Sequence, residues 1–140
     1  PGHSAVKIVR QLSPNKEVII LGLAYKPNVG DTRESPVIEL ITELSSLGIK
    51  SRIWDPMVTT LVELPDGAKI VNDPYQGAEG VGMVVLATAH TQCLDLDWAR
   101  IRDLVSEAKL FDGPRSLNRN LMESIGFEYS GVGVPDVPLS

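Results

Sequence analysis

Val18–Leu23 (VIILGL) runs apolar without a break, with Ser13-Pro14-Asn15 a few residues before it and a polar loop after it. Such a run suits a strand buried on both faces, and strands of that kind belong to parallel sheets covered by helices on each side. The rest of the chain meets that demand. Pro36–Leu47 sets Val37, Leu40, Ile41, Leu44 and Leu47 on one helical face, with Ser35 as N-cap, Pro36 in the first turn and Gly48 as the stop. Ser51–Trp54, Lys69–Val71, Val81–Thr88, Lys109–Asp112 and Phe127–Val132 read as further strands, and Pro74–Gly80 and Asp97–Ala108 as helices. Ala5, Ile8, Val9 and Leu12 fall at helical spacing ahead of the first strand. Alternation at this spacing implies right-handed β-α-β units. The expected fold is α/β, Rossmann-like and doubly wound, a mainly parallel sheet of about six strands with helices on both faces.

The 140 residues make one domain, long enough to bury about two thirds of the unfolded surface without a disulfide or metal staple. Thirteen basic against 18 acidic residues leave a net charge of −5 with no basic stripe, so nucleic acid is not an expected partner. The longest apolar stretch, Val81–Ala89, falls far short of the roughly 20 residues of a membrane span, and Pro1–Arg10 lacks the apolar core of a signal peptide. Cys93, the one cysteine, has no partner for an internal disulfide, so the expected compartment is the reducing cytoplasm. The first helix begins without a capping sequence, which predicts that the chain starts inside something longer. Val134–Ser140, with two prolines, is expected to be a loose tail.

In an open parallel sheet, ligands bind outside the carboxyl ends of the strands. Four polar clusters fall there: Ala24–Ser35 (AYKPNVGDTRES), Asp55-Pro56, Thr88-Ala89-His90 and Asp112-Gly113-Pro114-Arg115. Lys26 and Arg33 beside the amino end of the Pro36 helix describe an anion pocket, since a helix start offers free N–H groups and arginine a planar fork. Solvated loop charges are the plainer reading, but strand-to-helix loops usually take 2–6 residues and longer ones are commonly functional. Asp55 reads as a turn opener. The G-x-G-x-x-G fingerprint that would make it a ribose ligand is missing, and Asp55 lies 33 residues beyond Gly22 where about 20 is usual. His90 and Cys93 form H-x-x-C without a second ligand pair, too little for a metal site. Cys93 has no base and orienting residue arranged around it in the sequence, and Trp54 and Trp98 suit the core or a domain interface. No catalytic residue and no metal ligand is therefore assigned to this chain.

Leu21–Pro36 (LGLAYKPNVGDTRESP) closely resembles the signature that opens the C-terminal, nucleotide-sugar-binding domain of the UDP-glucose/GDP-mannose dehydrogenase family. Gly48–Pro56 (GIKSRIWDP) resembles that domain's second strand, Val84–His90 (VVLATAH) its fourth, and Phe111–Arg115 (FDGPR) its late Asp-Gly-Arg turn. Pro1–Leu12 is similar to the end of the long helix linking the two halves of these enzymes. The resemblance thus divides the chain into a linker-helix tail (residues 1–13), a nucleotide-sugar-binding α/β domain (14–133) and the loose C-terminal tail (134–140).

The family oxidises the C6 hydroxyl of a nucleotide sugar to a carboxylate in two hydride transfers to NAD. Its dinucleotide fingerprint and its catalytic cysteine, in a G-F-G-G-x-C context, belong to the N-terminal part. Neither pattern occurs in this chain, so the resemblance implies half of an enzyme, inactive alone, whose partners are a UDP-sugar and the NAD-binding domain. It implies Tyr25 and Lys26 as sugar-nucleotide contacts and Arg33 as a contact to NAD. In the Asp-Gly-Pro-Arg turn a one-residue shift puts Arg115 in the sugar-nucleotide role, whereas an ungapped reading puts Pro114 there; we favour Arg115. His90 stands where UDP-glucose enzymes more often show Thr-Glu-Trp, which resembles the branch acting on UDP-N-acetyl-hexosamines. Such products feed capsule and cell-surface polysaccharide synthesis, and the family is usually a homodimer or larger. A stand-alone, non-catalytic UDP-sugar-binding module is the competing expectation.

Overall fold

The structure, a computed structural model, describes residues 2–12 and 15–131. Six strands form one sheet: β1 (Glu17–Leu21), β2 (Lys50–Trp54), β3 (Ala68–Ile70), β4 (Met83–Leu86), β5 (Lys109–Asp112) and β6 (Glu128–Ser130). Their order is β3-β2-β1-β4-β5-β6 and every neighbouring pair is parallel. The chain winds outward from β1 in one direction and from β4 in the other, the doubly wound arrangement that the strand-helix alternation predicts.

Period-two alternation along β1 explains the two cores. Val18 and Ile20 point to one face, where α1 (Gly2–Gln11) and α2 (Pro36–Ser46) supply Ala5, Ile8, Leu40, Ile41 and Leu44. Ile19 and Leu21 point to the other, against α3 (Pro74–Ala78), α4 (Thr91–Leu94), α5 (Trp98–Leu104) and α6 (Arg119–Ile125). Trp98 is buried there with its ring edge-on to Phe127, centroids 6.1 Å apart. Trp54 is half-buried against the same core. Among the described residues no helix is long and apolar enough to cross a membrane.

Several boundaries are shorter than the sequence predicts. Strand β1 stops at Leu21 because Gly22 turns to φ +94°, where a Cβ would lie 2.5 Å from Thr88 Cβ. Helix α5 begins after Asp97, which caps it by accepting from the Arg100 amide, and ends at Leu104 as Val105 turns extended. Ser106 then returns its amide to the Val81 carbonyl. Helices α4 and α6 have no counterpart in the sequence reading; four and seven residues long, they are too short to declare a periodicity. Strand β6 covers Glu128–Ser130 of the expected Phe127–Val132, and the expected loose tail lies outside the described residues.

Candidate functional site

Residues 22–35, between β1 and α2, contain no helix or strand, yet their backbone is held at many points. The Gly22 amide continues the ladder to the Trp54 carbonyl. Leu23 and Ala24 donate to Asp55 Oδ2 at 2.6 and 2.9 Å. Thr88 Oγ1 donates to the Ala24 carbonyl at 2.8 Å, so the loops after β1 and β4 close on each other at the switch point. Tyr25 donates its amide to the Asp31 carbonyl at 2.7 Å. At the far end Ser35 Oγ donates to the Leu23 carbonyl and accepts from the Val37 amide, capping α2 and closing the loop on itself.

That scaffold gathers Tyr25, Lys26, Asp31, Arg33 and Glu34 around an open recess of ≈ 620 Å³. Three of the four residues singled out from the sequence therefore share one site. Arg33 does not stand free in it. Its Nε and Nη2 donate to Asp31 Oδ1 and Oδ2 at 3.1 and 2.9 Å, and its amide donates to Oδ1 as well. These bonds from Arg33, with a smaller contribution from the Lys26 charge, hold the Asp31 carboxyl down to about 2. Asp31 takes the side-on fork of the guanidinium, leaving the end-on edge of a side chain that is 89% exposed. The Asp-x-Arg spacing is the one trace this pair leaves in the sequence, and by itself it does not differ from ordinary loop polarity.

Arg115 lies elsewhere on the same edge of the sheet. It sits at φ +54° in the turn after β5, two strands from β1, and is not among the residues lining the recess. That turn is built on Asp112, a buried carboxylate accepting from the Ser116 and Leu117 amides and the Tyr129 hydroxyl. Burial first, then the bond to Asp112, pushes the Tyr129 phenol up to about 12. A second recess of ≈ 240 Å³ extends from Ser4, Pro36 and Val37 to Phe111 and Gly113.

Asp55 is more than a turn opener. Its Oδ1 accepts from Met57 and Val58 in the turn, and its Oδ2 from the Leu23 and Ala24 amides and, at 2.8 Å, the His90 ring. Burial pulls this carboxyl upward, but these donated bonds outweigh it and leave the group below its ordinary value. His90 is fully buried, and its other nitrogen, Nδ1, accepts from the Asn28 amide at 2.8 Å. With both ring nitrogens engaged, the H-x-x-C pair is a packing unit. The Cys93 thiol, buried and close to the Asp55 charge, is pushed up to about 12 and stays protonated at neutral pH. Among the described residues no three His, Cys, Asp or Glu side chains gather as a metal ion would need.

The "UDP-glucose/GDP-mannose dehydrogenase family, UDP binding domain" matches residues 19–119. UDP-glucose 6-dehydrogenase of Caenorhabditis elegans is 32% identical over 149 residues, covering 94% of this chain and 31% of its own length. The Bos taurus enzyme of the same name is 34% identical over 136 residues, covering 85% and 28%. The chain thus spans less than a third of these curated relatives. A UDP-glucose dehydrogenase from Pyrobaculum islandicum superposes with a TM-score of 0.70 at 27% identity, over 96% of this chain and 30% of its own. The NDP-N-acetyl-D-galactosaminuronic acid dehydrogenase of Methanosarcina mazei Go1 shares the fold, with a TM-score of 0.78 at 18% identity over 96% of this chain and 28% of its own.

Proposed function

The chain belongs to the UDP-glucose/GDP-mannose dehydrogenase family through its UDP-binding domain, and from that premise we propose that the recess at Tyr25–Glu34 binds the nucleoside diphosphate of a UDP-sugar. The observation that carries the reading is the convergence of Tyr25 and Lys26 on one recess at the carboxyl edge of the sheet, with Arg33 on its rim for the second diphosphate, that of NAD. Lys26 supplies a point charge for a phosphate and Tyr25, half-exposed, an aromatic face. Arg115, from the turn after β5 two strands away, takes the far end of the ligand.

The same reading makes the chain the substrate-binding part of an NAD-dependent enzyme that oxidises the sugar C6 hydroxyl to a carboxylate. NAD, when bound, supplies the hydride acceptor. The donor set fits it: the end-on edge of the Arg33 guanidinium matches one diphosphate, and Asp31 holds the fork in orientation without filling that edge. The residues of this chain bind and orient; the proton and hydride chemistry belongs to the family's NAD-binding domain. UDP-N-acetyl-hexosamine as the sugar nucleotide, a homodimer or larger assembly and a cytoplasmic location complete the proposal. His90 supports that choice of sugar.

An amide-resolved NMR titration of the chain with millimolar UDP-N-acetylglucosamine, with GDP-mannose as control, tests it. Shifts confined to Tyr25–Ser35 and Asp112–Arg115, and seen with the uridine ligand, are the expected outcome. Shifts elsewhere, or equal shifts with both ligands, would overturn the assignment.

A further inference from the structure

We propose that His90 is a positioning residue for the sugar-nucleotide loop: its imidazole, oriented by Asp55, holds the Asn28 backbone N–H and so fixes the turn that presents Tyr25 and Lys26. The inference rests on the preceding reading that Tyr25 and Lys26 meet the ligand.

The tautomer follows from the partners. An amide N–H can only donate, so Nδ1, 2.8 Å from the Asn28 nitrogen, is an unprotonated acceptor. Nε2, 2.8 Å from Asp55 Oδ2, therefore carries the proton and donates. Asp55 is itself fixed by four backbone amides from the loops after β1 and β2. The ring thus has one orientation and one tautomer, and it reaches from the loop after β4 to the loop after β1.

At the other end of the contact, Asn28 sits at φ +63°, a conformation that residues other than glycine rarely adopt. It is gripped on two sides, since its Oδ1 also accepts from the Thr91 amide at 2.9 Å. Lys26, two residues earlier, has no hydrogen bond or ion pair from its side chain among the described residues, so the backbone around it sets where that side chain leaves the loop, and the Asp31 charge meets it only through space. On the amino side that backbone is held by Asp55 and Thr88, and on the carboxyl side by His90 and Thr91.

Two substitutions separate positioning from mere support. His90→Asn places an amide oxygen near the position of Nδ1, keeping the acceptor for Asn28 and giving up the donor to Asp55. His90→Gln places an amide nitrogen near Nε2, keeping the donor to the buried carboxylate and giving up the acceptor. A structural role alone ranks Gln above Asn in both stability and affinity. Positioning ranks Asn above Gln in affinity for UDP-N-acetylglucosamine, whatever their order in stability. The expected result is binding by His90→Asn within about threefold of the unchanged chain, and binding by His90→Gln weakened by about tenfold. Two readouts need no variant: the ring 15N spectrum should show the Nε2–H tautomer, and the Asn28 amide should be protected from hydrogen exchange. Affinities that follow the unfolding midpoints, or an Nδ1–H tautomer, would overturn the role of His90 while leaving the loop as the ligand site. An unchanged chain that shows no ligand-induced shift at Tyr25–Ser35 would instead overturn the sugar-nucleotide reading itself.

Discussion

Arg33 shares its guanidinium with Asp31, whereas the Lys26 side chain has no hydrogen bond or ion pair among the described residues, and this difference decides how each cation should respond to substitution. The Asp31 carboxyl is expected to titrate at about 2 in a carbon-detected NMR titration. Arg33→Ala should return it toward the ordinary carboxylate range, and Lys26→Ala should move it less, because Lys26 acts only through space. A midpoint near the ordinary value in the unchanged chain would mean that the bidentate pair does not persist in solution. Ligand binding should divide the two residues the other way. In an enzyme that joins this domain to the family's NAD-binding domain, Lys26→Ala is expected to weaken UDP-sugar binding about tenfold and NAD binding little. Arg33→Ala should do the reverse, since a lost charged contact typically costs about 1.5–3 kcal/mol. Equal losses for both ligands, measured by calorimetry, would remove the distinction. Lys26 and Arg33 were legible in the sequence because charge in a long loop is visible as such. Asp31 was not, because a carboxylate two residues from an arginine reads as ordinary loop polarity until the loop folds back on itself.

The element that organises the site is the seam between the loops after β1 and β4. Gly22 lies at φ +94°, and a Cβ there would meet the Thr88 Cβ at 2.5 Å and its backbone N and O at 2.6 Å. Gly48, which ends α2 at φ +80°, has nothing within 4 Å of such a Cβ. The two positions therefore separate backbone strain from collision. Gly48→Ala carries the left-handed penalty alone, about 1–2 kcal/mol. Gly22→Ala adds a clash with backbone that cannot rotate away, so we expect it to cost at least about 1 kcal/mol more. Urea unfolding of both variants measures the difference, and equal losses would show that the seam yields easily. Of this architecture the sequence shows what has length or chemistry: the apolar β1 run, the capped Pro36 helix and the loop between them. The α4 turn, which places His90 under the loop, is a single helical turn and leaves no periodic trace. Asp55 reads as a turn residue and does hold its own turn, but its second oxygen serves a loop 31 residues earlier in the chain, a contact that local spacing does not encode.

At the scale of the molecule, β1, β2 and β4 end at one place, where Asp55 accepts from the loop after β1, its own turn and the ring of His90. A buried carboxylate with this many donors couples the integrity of the sheet's carboxyl edge to a single negative charge. Replacing it with a neutral amide turns part of an acceptor into a donor that faces other donors, so Asp55→Asn is expected to cost about 3 kcal/mol at neutral pH. The pH dependence fixes the sign. The folded-state pKa of Asp55 is lowered by its donors, so between the folded and unfolded values the unfolded chain holds more protons and stability rises with pH. The contribution is complete above the unfolded carboxylate value and is lost as pH falls through the lowered folded value. Unfolding free energies measured from neutral pH into that acid range should therefore show the unchanged chain losing its advantage over Asp55→Asn, the two curves converging toward the acid end. If their separation stayed constant with pH, the charge of Asp55 would not be what joins the three loops, and the sheet edge would owe its order to packing around Gly22 and Thr88 instead.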